Sequence, residues 1–128
     1  MTTIREVMTS EPITVRPDHS VRGALELLIE HGISGLPVVD GDGVAVGIVS
    51  EKDLLKLFSD PKARSVEAIM TRTPIAIDVD GSLVELFDCL MAHDFRRVLI
   101  EERGRLVGLV SRSDLMPAIL SVLQERSG

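Results

Sequence analysis

The sequence predicts a mixed α/β fold of the α+β type, built from two β-α-β-β-α repeats packed on each other. Three observations predict it. The chain repeats itself, VMTSEPITV matching IMTRTPIAI and VGIVSEKDL matching VGLVSRSDL. Within each copy, apolar residues recur first at helical spacing and then in short strand-like runs. Aromatic residues make up 2% of the chain, with no Trp or Tyr, so the core must be Val, Ile, Leu, Ala and Met.

At an offset of 62, Met8, Thr9, Pro12, Ile13, Asp18, Ser20, Leu28 and His31 fall on Met70, Thr71, Pro74, Ile75, Asp80, Ser82, Leu90 and His93. Past the first hairpin the offset becomes 61, and Val46, Gly47, Val49, Ser50, Asp53 and Leu54 match Val107, Gly108, Val110, Ser111, Asp114 and Leu115. This period is long for a solenoid repeat, and two copies are fewer than such arrays need. Two tandem motifs, residues 1–61 and 62–128, fit better. A lone half would leave one face of its sheet bare, so the halves are expected to pack together.

Each copy opens on a short helical turn, residues 3–8 and 65–70, and continues into a proline-punctuated extended segment, ITV or IAI. Ser20 is placed to cap a helix with Val21, Ala24, Leu25, Leu28 and Ile29 on one face, and Gly32 supplies its left-handed stop. Ser82 caps the counterpart, whose stripe is Leu83, Leu86, Phe87, Leu90 and Met91; Asp94, a poorer stop, replaces Gly32. Two strands follow in each copy, across Gly41-Asp42-Gly43 and across Glu102-Arg103-Gly104. The chain leaves each hairpin at Ser50 or Ser111 and enters a helix. The last helix, DLMPAILSVLQER, tolerates Pro117 in its first turn and carries Leu115, Ile119, Leu120, Val122 and Leu123. That face either closes the chain's own core or meets a second copy.

Several functions are excluded. A net charge of −6, no basic run and almost no aromatic residues argue against nucleic acid. A single Cys89 cannot form an intramolecular disulfide or a zinc site by itself. No apolar signal segment and no run of about 18 apolar residues is present, so a soluble, cytoplasmic protein without membrane insertion is expected. No Ser-His-Asp constellation or glycine-rich phosphate loop stands out, and the expectation is no enzyme, no catalytic residue, no catalytic cofactor and no metal. His31 and His93 complement helix C-termini, and His19 is expected in solvent. Cys89 reads as a structural thiol, Met8, Met70, Met91 and Met116 as core filler, and Asp42 and Asp60 as turn residues.

Ser50-x-x-Asp53 and Ser111-x-x-Asp114 admit two readings. As capping boxes, the serine accepts the third residue's N–H and the carboxylate answers back. As binding groups, the carboxylates sit where two sugar hydroxyls could donate to them, beside a helix start that favours an anion. Gly47 and Gly108, three residues earlier, allow something to approach the backbone closely, which capping does not require.

Taken together, VMTSEPITV, HGISGLPVVD and VGIVSEKDLL, repeated as IMTRTPIAI, HDFRRVLIEE and VGLVSRSDLM, resemble a pair of CBS (cystathionine β-synthase) motifs, a Bateman module, over almost the whole chain. The resemblance implies a disc-like, stand-alone module with pseudo-twofold symmetry and two clefts, binding adenosine ligands and regulating another protein. Carried onto this sequence, it puts Ser111 and Asp114 at the sugar of the favoured cleft, Ile13, Ile33 and Ser34 around the base, and Arg96, Arg97 and, at the helix start, Arg112 at the phosphate. The weaker cleft has Ser50 and Asp53, with Ile75 and Phe95 towards the base; its phosphate position falls on uncharged Ser34 and Gly35, and Arg96 crowds its base.

The expected function is therefore a sensor that binds an adenine nucleotide (AMP, ADP or ATP) between its repeats, acts on an unidentified partner protein and pairs as a homodimer. The alternative is a dimerisation or interaction module with vestigial clefts. It is favoured by Leu99 in place of Pro37, and by Glu101 and Glu102, which could pair with Arg96 and Arg97.

Overall fold

A computed structural model of the chain describes residues 2–72, 74–92 and 97–127, with the backbone alone at 126 and 127. In chain order the elements are α1 (Ile4–Val7), β1 (Thr9–Ser10), α2 (Val21–His31), β2 (Gly35–Val39), β3 (Ala45–Ser50), α3 (Glu51–Leu55), α4 (Val66–Ile69), β4 (Thr71–Arg72), β5 (Ala76–Asp78), α5 (Leu83–Ala92), β6 (Arg97–Glu102), β7 (Arg105–Ser111) and α6 (Met116–Ser127). Single 3-10 turns, Lys56–Phe58 and Ser113–Leu115, follow α3 and precede α6. The mixed α/β class is as expected. Among the described residues, no helix is long and apolar enough to cross a membrane.

The chain divides into two compact units, residues 13–74 and residues 1–12 with 75–128. They are cut differently from the sequence repeats, because each repeat lends its opening segment to the other repeat's unit. In the unit of residues 13–74 the sheet runs β2-β3-β4, with β4 antiparallel on β3. In the other unit it runs β1-β7-β6-β5, with β1 antiparallel on β7. The helical turns travel with these strands. Val66 and Ile69 of α4 join the core of Val15, Val21, Ala24, Leu28, Leu36, Val38 and Val49. Ile4 of α1 joins Ile77, Leu86, Leu90, Val98, Ile100 and Val110. Burying a side chain such as Ile4 contributes about 1.5–3 kcal/mol and anchors this short segment to the core.

The two copies differ at the proline-punctuated segment. Residues 76–78 form a parallel strand on β6, Ala76 facing Leu99, Ile77 facing Ile100 and Asp78 facing Glu101. Ile13-Thr14-Val15 makes a single parallel bridge, Val15 to Val38, instead of the expected strand. The reason is one residue. Leu99 donates its N–H to the Ile75 carbonyl at 3.1 Å, whereas its counterpart Pro37 has no N–H to give Ile13.

Local capping follows the sequence. The Ser20 hydroxyl accepts the Gly23 N–H at 2.9 Å, Gly32 stops α2 at φ 62°, and Ser82 accepts from Glu85 at 3.0 Å. The first hairpin closes on Asp40, whose Oδ1 accepts the N–H groups of Asp42 and Val44. The second turns on Arg103 and Gly104, both at positive φ, which matches the twist of its strands.

The apolar stripes are narrower than expected. Val21, Ala24 and Leu28 are buried, but Leu25 faces outward and Ile29 is 72% exposed. On α5 Leu86 and Leu90 are buried while Met91 is 84% exposed. The buried stripe of α2 is Val21, Ala24 and Leu28 with Leu27 at its edge, and positions further round the helix stay outside. On α6 the inner face is Leu115, just before it, and Ala118, leaving Met116, Ile119, Leu120, Val122 and Leu123 exposed. Met91 and Met116 are thus surface residues rather than core filler.

Candidate functional site

The duplicated Ser-x-x-Asp segments lie at strand-to-helix exits in different units, and they differ in what holds them. In the first, Asp53 is 3% exposed, the buried charged side chain among the described residues. Its Oδ2 accepts the Ser50 N–H at 2.9 Å and the Ser50 hydroxyl at 3.0 Å, while its own N–H reaches Ser50 Oγ at 3.4 Å. This is a complete capping box. Its Oδ1 is also taken, by Lys56 Nζ at 3.2 Å and by the Thr71 hydroxyl at 3.0 Å.

In the second, Asp114 is half-buried. Its Oδ2 accepts the Ser111 N–H at 2.8 Å and the Ser111 hydroxyl at 2.9 Å. Ser113 Oγ lies 2.9 Å from Ser111 Oγ. No donor among the described residues reaches Oδ1. One substitution and one difference of placement between the copies account for part of this. Lys56 corresponds to Pro117, which has no donor, and Thr71 corresponds to Thr9, which is exposed like Thr71 but makes no bond to Asp114.

Arg97 joins this second group through the sheet. It is the cross-strand partner of Ser111 in the β6–β7 ladder, at the position that Gly35 takes opposite Ser50 in the other unit. Arg112 stands exposed at the start of the 3-10 turn, and both arginines are engaged in interactions of their own. One unit therefore gathers Ser111, Asp114, Arg97 and Arg112. The other holds Ser50 and Asp53 together with Ser34, whose carbonyl accepts the Glu51 N–H at 3.0 Å, and it also contains half-buried Ile13 and exposed Ile33. Ile75 is half-buried in the unit of Asp114. Phe95, Arg96, His93 and Asp94 lie outside the described residues.

Three expectations are corrected. Gly47 and Gly108 do admit a close approach, but its source is the protein itself. A Cβ on Gly47 would stand 2.8 Å from Met70 Sδ, and one on Gly108 would stand 2.9 Å from Met8 Cγ. The methionine opening each repeat lies over the glycine of the other repeat. The expected pairing with Glu101 and Glu102 is corrected for Arg97, though not for Arg96, which lies outside the described residues: Glu102 is held by Arg5 at 3.0 Å, and Glu101 lies four residues from Arg97, about 13 Å along the strand. His19 is half-buried and lies over Gly23, rather than standing in solvent. Lys56 and Thr71 were not legible as site residues. Their signals were a cation three positions after Asp53 and the repeated Met-Thr pair.

Other features carry less. An open hollow of about 610 Å³ is lined by Glu102, Arg103, Arg105 and Val107, none of them an expected site residue. Burial pushes the Cys89 thiol above its ordinary pKa, and the nearby Glu85 carboxylate adds to the shift, so a reactive thiolate is disfavoured.

Residues 4–60 and 66–121 each match the family model of the CBS domain. The chain belongs to the CBS-domain family. Its two CBS domains in tandem are 30% identical over 123 residues to an uncharacterized 17.7 kDa protein of Acidianus ambivalens, covering 94% of this chain and 75% of that one. They are also 30% identical over 122 residues to the A-adding tRNA nucleotidyltransferase of Aquifex aeolicus, but there this chain spans 15% of the relative's length. Among solved structures, CBSX2 in complex with AMP has a TM-score of 0.86 and 32% identity over 95% of this chain and 98% of that one. The CBS domain pair of protein MJ0100, in complex with 5′-methylthioadenosine and S-adenosyl-L-methionine, has a TM-score of 0.82 and 28% identity over 92% and 99%.

Proposed function

We propose that this CBS pair is a regulatory module of the cytoplasm that binds an adenosine-containing nucleotide of the AMP, ADP or ATP class and signals to a partner protein. The observation that carries the reading is the half-used carboxylate of Asp114. Ser111 fixes Oδ2 from two sides and leaves Oδ1 for a sugar hydroxyl, which would form a charge-assisted hydrogen bond. Arg97, across the ladder from Ser111, and Arg112 bring guanidinium groups for the phosphate, with Arg96 assigned there by the family pattern. Ile13, Ile33 and Ser34 are assigned to the base. The AMP of CBSX2 and the adenosine compounds of the MJ0100 pair support this ligand class. Signalling requires that the ligand favour one conformational state of the module over another.

The test is a thermal-shift titration with AMP, ADP, ATP and S-adenosylmethionine. A ligand at 100 times its dissociation constant stabilises the fold by about 2.7 kcal/mol, a shift of several degrees. Asp114→Ala is expected to abolish that shift and Asp53→Ala to preserve it. Melting curves unmoved by all four compounds at millimolar concentration would reject the reading.

The exposed apolar face of α6 favours a second property, pairing of two copies as a homodimer. Without nucleotide binding, that face would support the alternative of an interaction module.

A further inference from the structure

We infer that Lys56 and Thr71 close the Asp53 site from within, so that each chain takes one nucleotide, at Asp114, although the motif is duplicated. The inference rests on the proposed reading of Asp114 and explains why its twin stays silent. A carboxylate offers about four acceptor positions. Asp53 spends all of them inside its own unit, two on Ser50, one on Lys56 and one on Thr71. A ribose hydroxyl would have to displace one of these donors.

The two donors differ in how firmly they are held: Lys56 has a half-exposed, flexible side chain, and Thr71 is the firmer of the two. Thr71 sits on β4, registered opposite Ile48 of β3, and its branched side chain has few alternative rotamers. Lys56 lies one helical turn beyond Asp53, within reach of it by geometry. In the other unit Thr9 is registered opposite Leu109 as Thr71 is opposite Ile48, yet it leaves Asp114 alone. Pro117, in the place of Lys56, has nothing to donate. Asp53 is thus closed by a lysine that the second copy lacks and by a threonine that the second copy has but does not turn to its carboxylate.

Isothermal titration with AMP tests this on the whole chain. The wild type is expected to bind one AMP, and Lys56→Met/Thr71→Val to bind two. The same double variant carrying Asp114→Ala should bind one, at Asp53. In the double variant the Asp114 site itself reports whether the fold is kept, and a cooperative melting transition reports it in the triple variant. Asp114→Ala alone, which leaves the Asp53 network intact, should bind none. Two AMP molecules on the wild type, one retained by Asp114→Ala, or one on a double variant that melts cooperatively would each overturn the inference while leaving nucleotide binding in place. No heat from the wild type and the double variant alike would overturn both.

Discussion

Met70 lies so close to Gly47 that a methyl group there would touch its sulphur, and the Thr71 carbonyl oxygen is equally near, at 2.8 Å. The matching contact on Gly108 comes from the Met8 side chain alone, with Cγ at 2.9 Å, and a side chain can rotate where a backbone carbonyl cannot. Gly47→Ala is therefore expected to cost about 1–3 kcal/mol, since backbone must move, and Gly108→Ala less. Urea unfolding of the two variants checks this ranking. The reverse order would remove backbone contact as the reason for glycine at position 47.

Asp53 and Asp114 separate stability from binding. Asp53→Ala strips acceptors from the Ser50 N–H, the Ser50 hydroxyl and the Thr71 hydroxyl. The expected loss is about 2–3 kcal/mol in the absence of nucleotide. Lys56 adds little because its end is in water. Asp114→Ala disturbs a half-buried group with Ser111 as its partner and is expected to cost about 1 kcal/mol. Denaturant midpoints of the ligand-free variants decide between this order and equal losses.

What could be read from the sequence was local. Ser20, Gly32 and the two Ser-x-x-Asp pairs act within three or four residues, so spacing is enough to find them. The exchange of opening segments was hidden, because a strand of two residues has no periodicity to detect. The replacement of Pro37 by Leu99 was visible, but its effect on the ladder depends on which neighbour that N–H faces. The Thr71 bond to Asp53 spans 18 positions and depends on β4 docking beside β3. The outward turn of Leu25 and Ile29 likewise depends on how the helix sits on its sheet.

Cys89 should behave as a protonated, slow thiol. Its pKa is raised in the folded state by burial, then by Glu85, so the fold favours the neutral form. That contribution to stability is complete below the ordinary thiol pKa and is lost as pH rises through the raised value. Between pH 6 and 8 stability is expected to be independent of Cys89, with a decline in alkaline solution that Cys89→Ala reduces. At pH 8 a disulfide reagent should react several-fold more slowly with the folded chain than with the chain unfolded in urea. Equal rates would contradict a thiol held neutral by its surroundings.

The outer face of α6 gives the proposed homodimer a direct test. Leu120 and Leu123 are each 56% exposed, and Met116, Ile119 and Val122 extend the same apolar surface. Contiguous apolar area of this kind marks an interaction site more often than a free surface. Leu115 and Ala118 carry the burial within the chain, so charges placed at 120 and 123 leave the core intact. Leu120→Glu/Leu123→Glu is therefore expected to keep its melting transition and yet sediment as a monomer under conditions where the wild type is a dimer. Leu115→Glu, by contrast, should lower the melting temperature sharply, because it places an unpaired charge in the core. A wild type that remains monomeric at 100 times the usual assay concentration, or a doubly charged variant that still pairs, would remove α6 as the dimer contact.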